Sequence, residues 1–126
     1  MKTFDGKVAA ITGAASGIGK SLAIELVKRN CNVALSDVDV DGLAKTVTEI
    51  KSLNLDIQVT SALVNVADKE SMHQWADQVA KEHGKVNLIF NNAGVALGGT
   101  VQDTAYSDYE WIVGINMWGV LYGTKA

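Results

Sequence analysis

The segment Thr12-Gly13-Ala14-Ala15-Ser16-Gly17-Ile18-Gly19-Lys20-Ser21 has the residue types and spacing to hold a phosphate. Glycines at 13, 17 and 19 let a turn of backbone come close to a pyrophosphate. A helix opening at Ile18-Gly19 adds free N–H groups and the positive end of its dipole, worth up to about 2 kcal/mol for a well-placed anion. The same residues, read from Ala14 to Ser21, fall one glycine short of a triphosphate loop, which wants Gly-x-x-x-x-Gly-Lys-Ser/Thr. Two other places weigh toward a dinucleotide. Asp37 follows Gly19 by 18 residues (37 − 19), close to the spacing at which an acid bonds the adenine-ribose hydroxyls. Asn91-Asn92-Ala93-Gly94 offers small residues and amides for an uncharged approach to a ribose, and a triphosphate mechanism gives no reason to expect that sequence.

Other groupings of reactive residues are weaker. His73 and His83 lie ten apart (83 − 73) within one helical pattern and read as a surface and a helix-end histidine, so no metal site is expected. Trp75, Trp111 and Trp118 lie at helical spacing and read as core or interface residues. Cys31 is the single cysteine, which excludes an internal disulfide and fits a reducing compartment. The net charge of -3 argues against a nucleic-acid partner, which wants a basic stripe. The N-terminus lacks the apolar run of a signal peptide, and the apolar stretch Trp111 to Tyr122 is too short to span a bilayer. A cytoplasmic protein without membrane attachment is expected.

The elements that must position these residues follow from periodicity. Lys7 to Thr12 is a short apolar run, as a strand buried on both faces reads. Ile18, Leu22 and Leu26 recur at i+4 and predict a helix from Gly17 to Asn30. Asn32 to Asp37 is a second strand, and Leu43, Val47 and Ile50 stripe a second helix. Asp56 to Val64 contains a third strand. Asp68 is placed to cap a third helix carrying Met72, Trp75, Ala76, Val79 and His83. Val86 to Asn91 is a fourth strand. Ser107-x-x-Glu110 reads as a capping box opening a last helix through Trp111, Ile115, Trp118 and Tyr122. This order predicts an α/β fold: a doubly wound, Rossmann-like parallel sheet with helices on both faces, ending after the fourth strand and its following helix. It forms one domain over residues 1–126. Ligands of such sheets bind beyond the carboxyl ends of the strands.

The chain resembles the N-terminal half of the short-chain dehydrogenase/reductase family. Thr12 to Gly19 matches that family's Thr-Gly-x-x-x-Gly-x-Gly, and Asn91 to Gly94 matches its Asn-Asn-Ala-Gly. Asp37 stands where NAD-selective members carry an acid, and Asn116, in Ile-Asn-Met-Trp-Gly-Val, resembles the asparagine of the catalytic tetrad. After the third strand the family usually has Asp-Val. Here the pair is Asn65-Val66, whose amide carbonyl can still accept from an adenine amino group. The resemblance implies hydride transfer between a nicotinamide cofactor and a small alcohol or carbonyl substrate, in a protein that forms a homo-oligomer. The cofactor residues it implies are Gly13, Ser16, Gly17, Ile18, Gly19, Asp37, Val38, Asn65, Val66, Asn92, Ala93 and Gly94, with Asn116 catalytic.

NAD is expected over NADP. Asp37 and the extra phosphate of NADP, about 4 Å apart at an effective dielectric near 20, repel by roughly 4 kcal/mol. Ala14-Ala15-Ser16 and Val38 bring no cation to offset this. The family's serine and its Tyr-x-x-x-Lys pair do not occur in these 126 residues, since Tyr122 and Lys125 are three apart (125 − 122). Tyr122 reads as packing and Lys125 as solvated. Two functions remain open: an oxidoreductase of which this chain is the cofactor-binding half, and a non-catalytic dinucleotide-binding or assembly module. A triphosphate binder is a remote third. The last helix is in full apolar period where the chain stops, which favours the first.

Overall fold

A computed structural model describes residues 2–126. Its elements alternate as the periodicity predicts: β1 (Val8–Thr12), α1 (Gly17–Lys28), β2 (Asn32–Asp37), α2 (Val40–Ser52), β3 (Val59–Leu63), α3 (Lys69–His83), β4 (Leu88–Phe90) and α4 (Tyr106–Val113). A π-helical turn, Gly114–Trp118, leads into α5 (Gly119–Lys125). The four strands form one parallel sheet in the order β3-β2-β1-β4.

Alternation along β1 divides the core. Ala9 and Ile11, with Val33 and Leu35 of β2, face Ala23, Leu26 and Val27 of α1 and Leu43 and Ile50 of α2. Ala10 and Ala34 face the other way, against Met72, Trp75 and Val79 of α3, with Ile115 and Tyr122 packed on the rim. Two alanines on that face leave room for the larger Trp75 and Met72. Each fully buried Leu or Ile contributes about 1.5–3 kcal/mol, so the central strands and α1–α2 carry most of the apolar stabilisation.

Several expectations change. Helix α1 ends at Lys28, two residues short of Asn30, because Asn30 takes φ 61, a left-handed turn that asparagine tolerates. Ile18 does not join the buried stripe of α1: it is 79% exposed, on the first turn, facing the end of the sheet. The capping box is not formed. Helix α4 begins at Tyr106, and the Ala105 carbonyl accepts from Asp108 and Tyr109, so Ser107 already lies inside the first turn. Asp68 does cap α3, accepting from Ser71 N–H at 3.0 Å. Trp75 is core, whereas Trp111 and Trp118 lie open and Trp118 stacks on Tyr122 at 5.7 Å between ring centroids.

The last helix is not continuous. Gly119 N–H reaches back five residues to the Gly114 carbonyl. The packing beneath explains this. A side chain at Gly119 would strike Val66 Cγ2 at 2.8 Å, and one at Gly114 would meet Ala67 Cβ at 3.4 Å, so both glycines rest on the turn after β3. In a regular α-helix residues five apart point about 140° away from each other. The wider i→i+5 turn returns them to one side.

Candidate cofactor site

Beyond the carboxyl ends of the strands lies a cleft of about 380 Å³, lined by Gly13, Ser16 and Ile18 after β1 and by Val64, Asn65 and Val66 after β3. Asp37 and Val38 at the end of β2, Asn92, Ala93, Gly94 and Val95 after β4, and Ile115 of the π-helical turn complete the lining. Ten of the expected residues thus meet in one place. Gly17, Gly19 and Asn116 are not among the residues that line the cleft.

The glycine turn is held by sterics and by polar bonds. Gly13 has φ +69, and a Cβ there would lie 2.9 Å from Ala93 Cα. Gly17, at φ +56, lets the chain enter α1. Gly19 is buried, and a Cβ there would overlap the Gly13 carbonyl. Ser16 is the N-cap of α1 but its hydroxyl makes no capping bond and stays exposed. The first N–H groups of α1 have no intrahelical acceptor, so Ser16 to Ile18 offer donors to an anion. Lys20, the lysine of the triphosphate-loop alternative, pairs with Glu49 on α2 at 2.8 Å and does not line the cleft.

Asp37 is not the cap of α2; Asp39 is, accepting from Gly42 N–H at 3.0 Å. The Asp37 carboxylate accepts from Ala15 N–H at 2.9 Å, from Val38 N–H at 2.7 Å and from Asp39 N–H at 3.1 Å. It is therefore fixed between the glycine turn and the end of β2 and remains at the cleft wall. Asn65 lines the cleft, but its side-chain oxygen already accepts from Ala67 N–H at 3.0 Å, which leaves it one further lone pair.

The Asn-Asn-Ala-Gly segment works largely as a strap. Asn92 donates to the carbonyls of Thr12 and Gly13, both at 3.2 Å, and Ala93 N–H donates to the Thr12 hydroxyl at 3.0 Å. The end of β4 is thereby tied to the end of β1. Asn91 points away and donates to the Thr124 hydroxyl on α5 at 3.1 Å, while its own oxygen is buried without a partner. Asn116, in the middle of the π-helical turn, grips the Val95 backbone with both ends of its amide: Val95 N–H donates to it at 2.9 Å and Val95 O accepts from it at 2.8 Å.

Val64, Val95 and Ile115 also line the cleft and were not among the expected residues. Apolar residues at strand ends carry no chemical signature of their own; only their position after a strand, or on the helix face opposite it, could have pointed to them. Among the described residues no cluster of His, Cys, Asp or Glu is placed to hold a metal, and no helix is long and apolar enough to cross a membrane.

Known proteins resemble the chain in sequence and in fold. SadH of Mycobacterium tuberculosis, named as an oxidoreductase, is 47% identical over 126 residues, which make up 100% of this chain and 45% of that protein. The C alpha-dehydrogenase of Sphingobium sp. is 34% identical over 124 residues, covering 98% of this chain and 40% of that one. A short chain dehydrogenase/reductase from Burkholderia phymatum, solved in complex with NAD, superposes with a TM-score of 0.94 at 37% identity, over 99% of this chain and 44% of that one. The chain thus spans less than half the length of each of these relatives. The family model for short chain dehydrogenases matches residues 7–126, from the residue before β1 through the whole of α5. Over that span, which includes every strand and helix described above, the chain belongs to the short chain dehydrogenase family.

Proposed function

We propose that the chain binds NAD in preference to NADP and forms the cofactor half of an oxidoreductase acting on an alcohol or carbonyl compound. The observation that carries this reading is the Asp37 carboxylate, held at the cleft wall by three backbone N–H groups with no cation among the lining residues. The fit of a dinucleotide rests on the turn itself: side chains at Gly13 or Gly19 would fill the space where the backbone folds under the cleft, and Ser16 to Ile18 present unused donors. Asp37 then accepts from an adenine-ribose hydroxyl through the lone pair left on Oδ2 and repels a phosphate on the same ribose. Ser16 and the N–H groups after it bind the pyrophosphate. Ala93, Gly94 and Val95 border the far end, where the strap from Asn92 and Asn116 keeps the backbone in place. A bound nicotinamide supplies a hydride donor or acceptor for the substrate carbon. Tyr122, stacked on Trp118, and the exposed Lys125 do not line the cleft and take no part in proton transfer. The solved relative from Burkholderia phymatum holds NAD, which supports the same cofactor here.

Calorimetric titration with NADH, NADPH and magnesium-ATP tests the reading. NADH is expected to bind most tightly, and tighter binding of magnesium-ATP would overturn it. The Asp37→Ala variant is expected to narrow the NAD/NADP preference by about two powers of ten. An unchanged ratio would reduce Asp37 to a strut of the turn.

A further inference from the structure

Thr46 is a polar residue with no exposure, on the inner face of α2, between the buried Leu43 and Ile50. Its hydroxyl lies 3.0 Å from the Ala14 carbonyl, 3.4 Å from the Ala15 carbonyl and 3.2 Å from the carbonyl of Gly42, one turn back in its own helix. A hydroxyl has one proton to give. Gly42 O already has the helical N–H of Thr46, so the bond to it is dispensable. Ala14 is fully buried, and its carbonyl has no other donor among the described residues. The nearest and neediest acceptor is therefore Ala14 O.

The same two residues are tied on their other side. Ala14 N–H donates to Ser36 O at 3.0 Å, and Ala15 N–H donates to Asp37 at 2.9 Å. Helix α2 can come this close because Gly42 lacks a side chain: a Cβ there would stand 3.1 Å from Ala15 Cβ and press on the Asp39 carboxylate. The glycine turn thus has two halves. Ala14 and Ala15 have their polar groups paired with β2 and α2, whereas Ser16 to Ile18 keep their N–H groups for a ligand.

We propose that Thr46 is a positioning residue for the dinucleotide. By holding the Ala14 carbonyl it sets the distance between the turn and Asp37, and so tunes affinity at the adenosine end and discrimination against a ribose phosphate. This rests on the dinucleotide reading above. It predicts that a residue outside the cleft, touching no ligand, controls cofactor choice.

The test uses Thr46→Val and Thr46→Ser in the full chain, titrated with NADH, NADPH, AMP and nicotinamide mononucleotide. Thr46→Val is expected to weaken NADH and AMP by about tenfold, the loss of one buried hydrogen bond, and to narrow the NADH/NADPH ratio. Nicotinamide mononucleotide, which does not reach Asp37, is expected to bind as before, and Thr46→Ser to restore wild-type values. A variant that melts earlier but keeps the NADH/NADPH ratio overturns the proposal, because a packing role alone would do that. Should Thr46→Val not fold, Thr46→Cys, whose thiol is a weak donor, replaces it in the same comparison with Thr46→Ser. Hydrogen exchange of the Ala15 amide in the free protein separates this claim from the cofactor reading. Faster exchange in the variant supports the positioning role even if the wild type binds no NADH, and unchanged exchange overturns it even if NADH binds.

Discussion

In β1 and β2, at the centre of the sheet, Val8 to Ile11 and Val33 to Ser36 are buried, whereas in β4, at its edge, Ile89 is 38% exposed and Leu88 and Phe90 are half-buried. All three strands read alike as apolar runs. The helices repeat the contrast: α1 and α2 bury four and three residues against the sheet, while α4 buries none. Burial in a parallel sheet is a property of neighbours, not of the strand. A run flanked by strands on both edges and helices on both faces is sealed; the same run with one paired edge is not. Trp111, Met117, Trp118 and Leu121, on the helical segments after β4, are exposed as well.

The largest expected effect comes from substituting matched residues in the two regions. Leu35→Ala, at no exposure, should cost about 3 kcal/mol, and Ile89→Ala about 1 kcal/mol, read from denaturant melts. Equal costs would mean that β4 is covered in solution and would break the contrast. Gly19→Ala comes next. Its methyl would meet the Gly13 carbonyl and, at 2.6 Å, the Asn92 amide, so about 2–3 kcal/mol of stability and measurable NADH binding should both be lost. Retained NADH fluorescence titration in that variant would show that the turn is as adaptable as the open region. Asn116→Ala removes both bonds to Val95 at a site where water can replace them. It should cost about 1 kcal/mol or less in stability, with amide exchange at Val95 rising. The smallest effect is pH dependence at the other edge of the sheet, on β3. His83, on α3, meets the Thr60 hydroxyl of β3 at 2.8 Å, and its Nδ1 is buried without a partner. Burial pushes its pKa below the usual 6.5, against the pull of the neighbouring Glu82. Its contribution to stability is therefore complete above pH 6.5 and is lost as pH falls from there through the lower folded value. Melts from pH 7.5 to 5 should show this slope, and His83→Gln should flatten it.

Most of the fold was legible because its signals are local. The alternation of short apolar runs with i, i+4 stripes predicted eight elements in order, and Asp68 announced the start of α3 by its place before the stripe. The capping box failed because Ser107-x-x-Glu110 is only a pattern of types, and helix α4 starts wherever its first carbonyl finds partners, which is Ala105. Ile18 failed as a core residue for the opposite reason: its spacing is right, but the stripe of a helix stops facing the sheet where the sheet stops. In the site, the glycines and Asp37 could be picked out by type and spacing. The polar partners behind them could not, since Thr46 meets Ala14 across 32 positions (46 − 14) and Asn116 meets Val95 across 21 (116 − 95).

By itself, the sequence determined the class of fold, the place of the glycine turn and the acid that follows the second strand, because each depends on backbone geometry or charge within a short stretch. Tertiary structure decided which side chains of that same set face the cleft and which brace it. Asn92 and Asn116 have the chemistry to meet a ligand, yet the Asn92 amide nitrogen is spent on the carbonyls of Thr12 and Gly13, and both ends of the Asn116 amide on the Val95 backbone. An amide bonds whichever backbone group the packing leaves beside it without a partner, and that is settled only when β1, β4 and the π-helical turn come together.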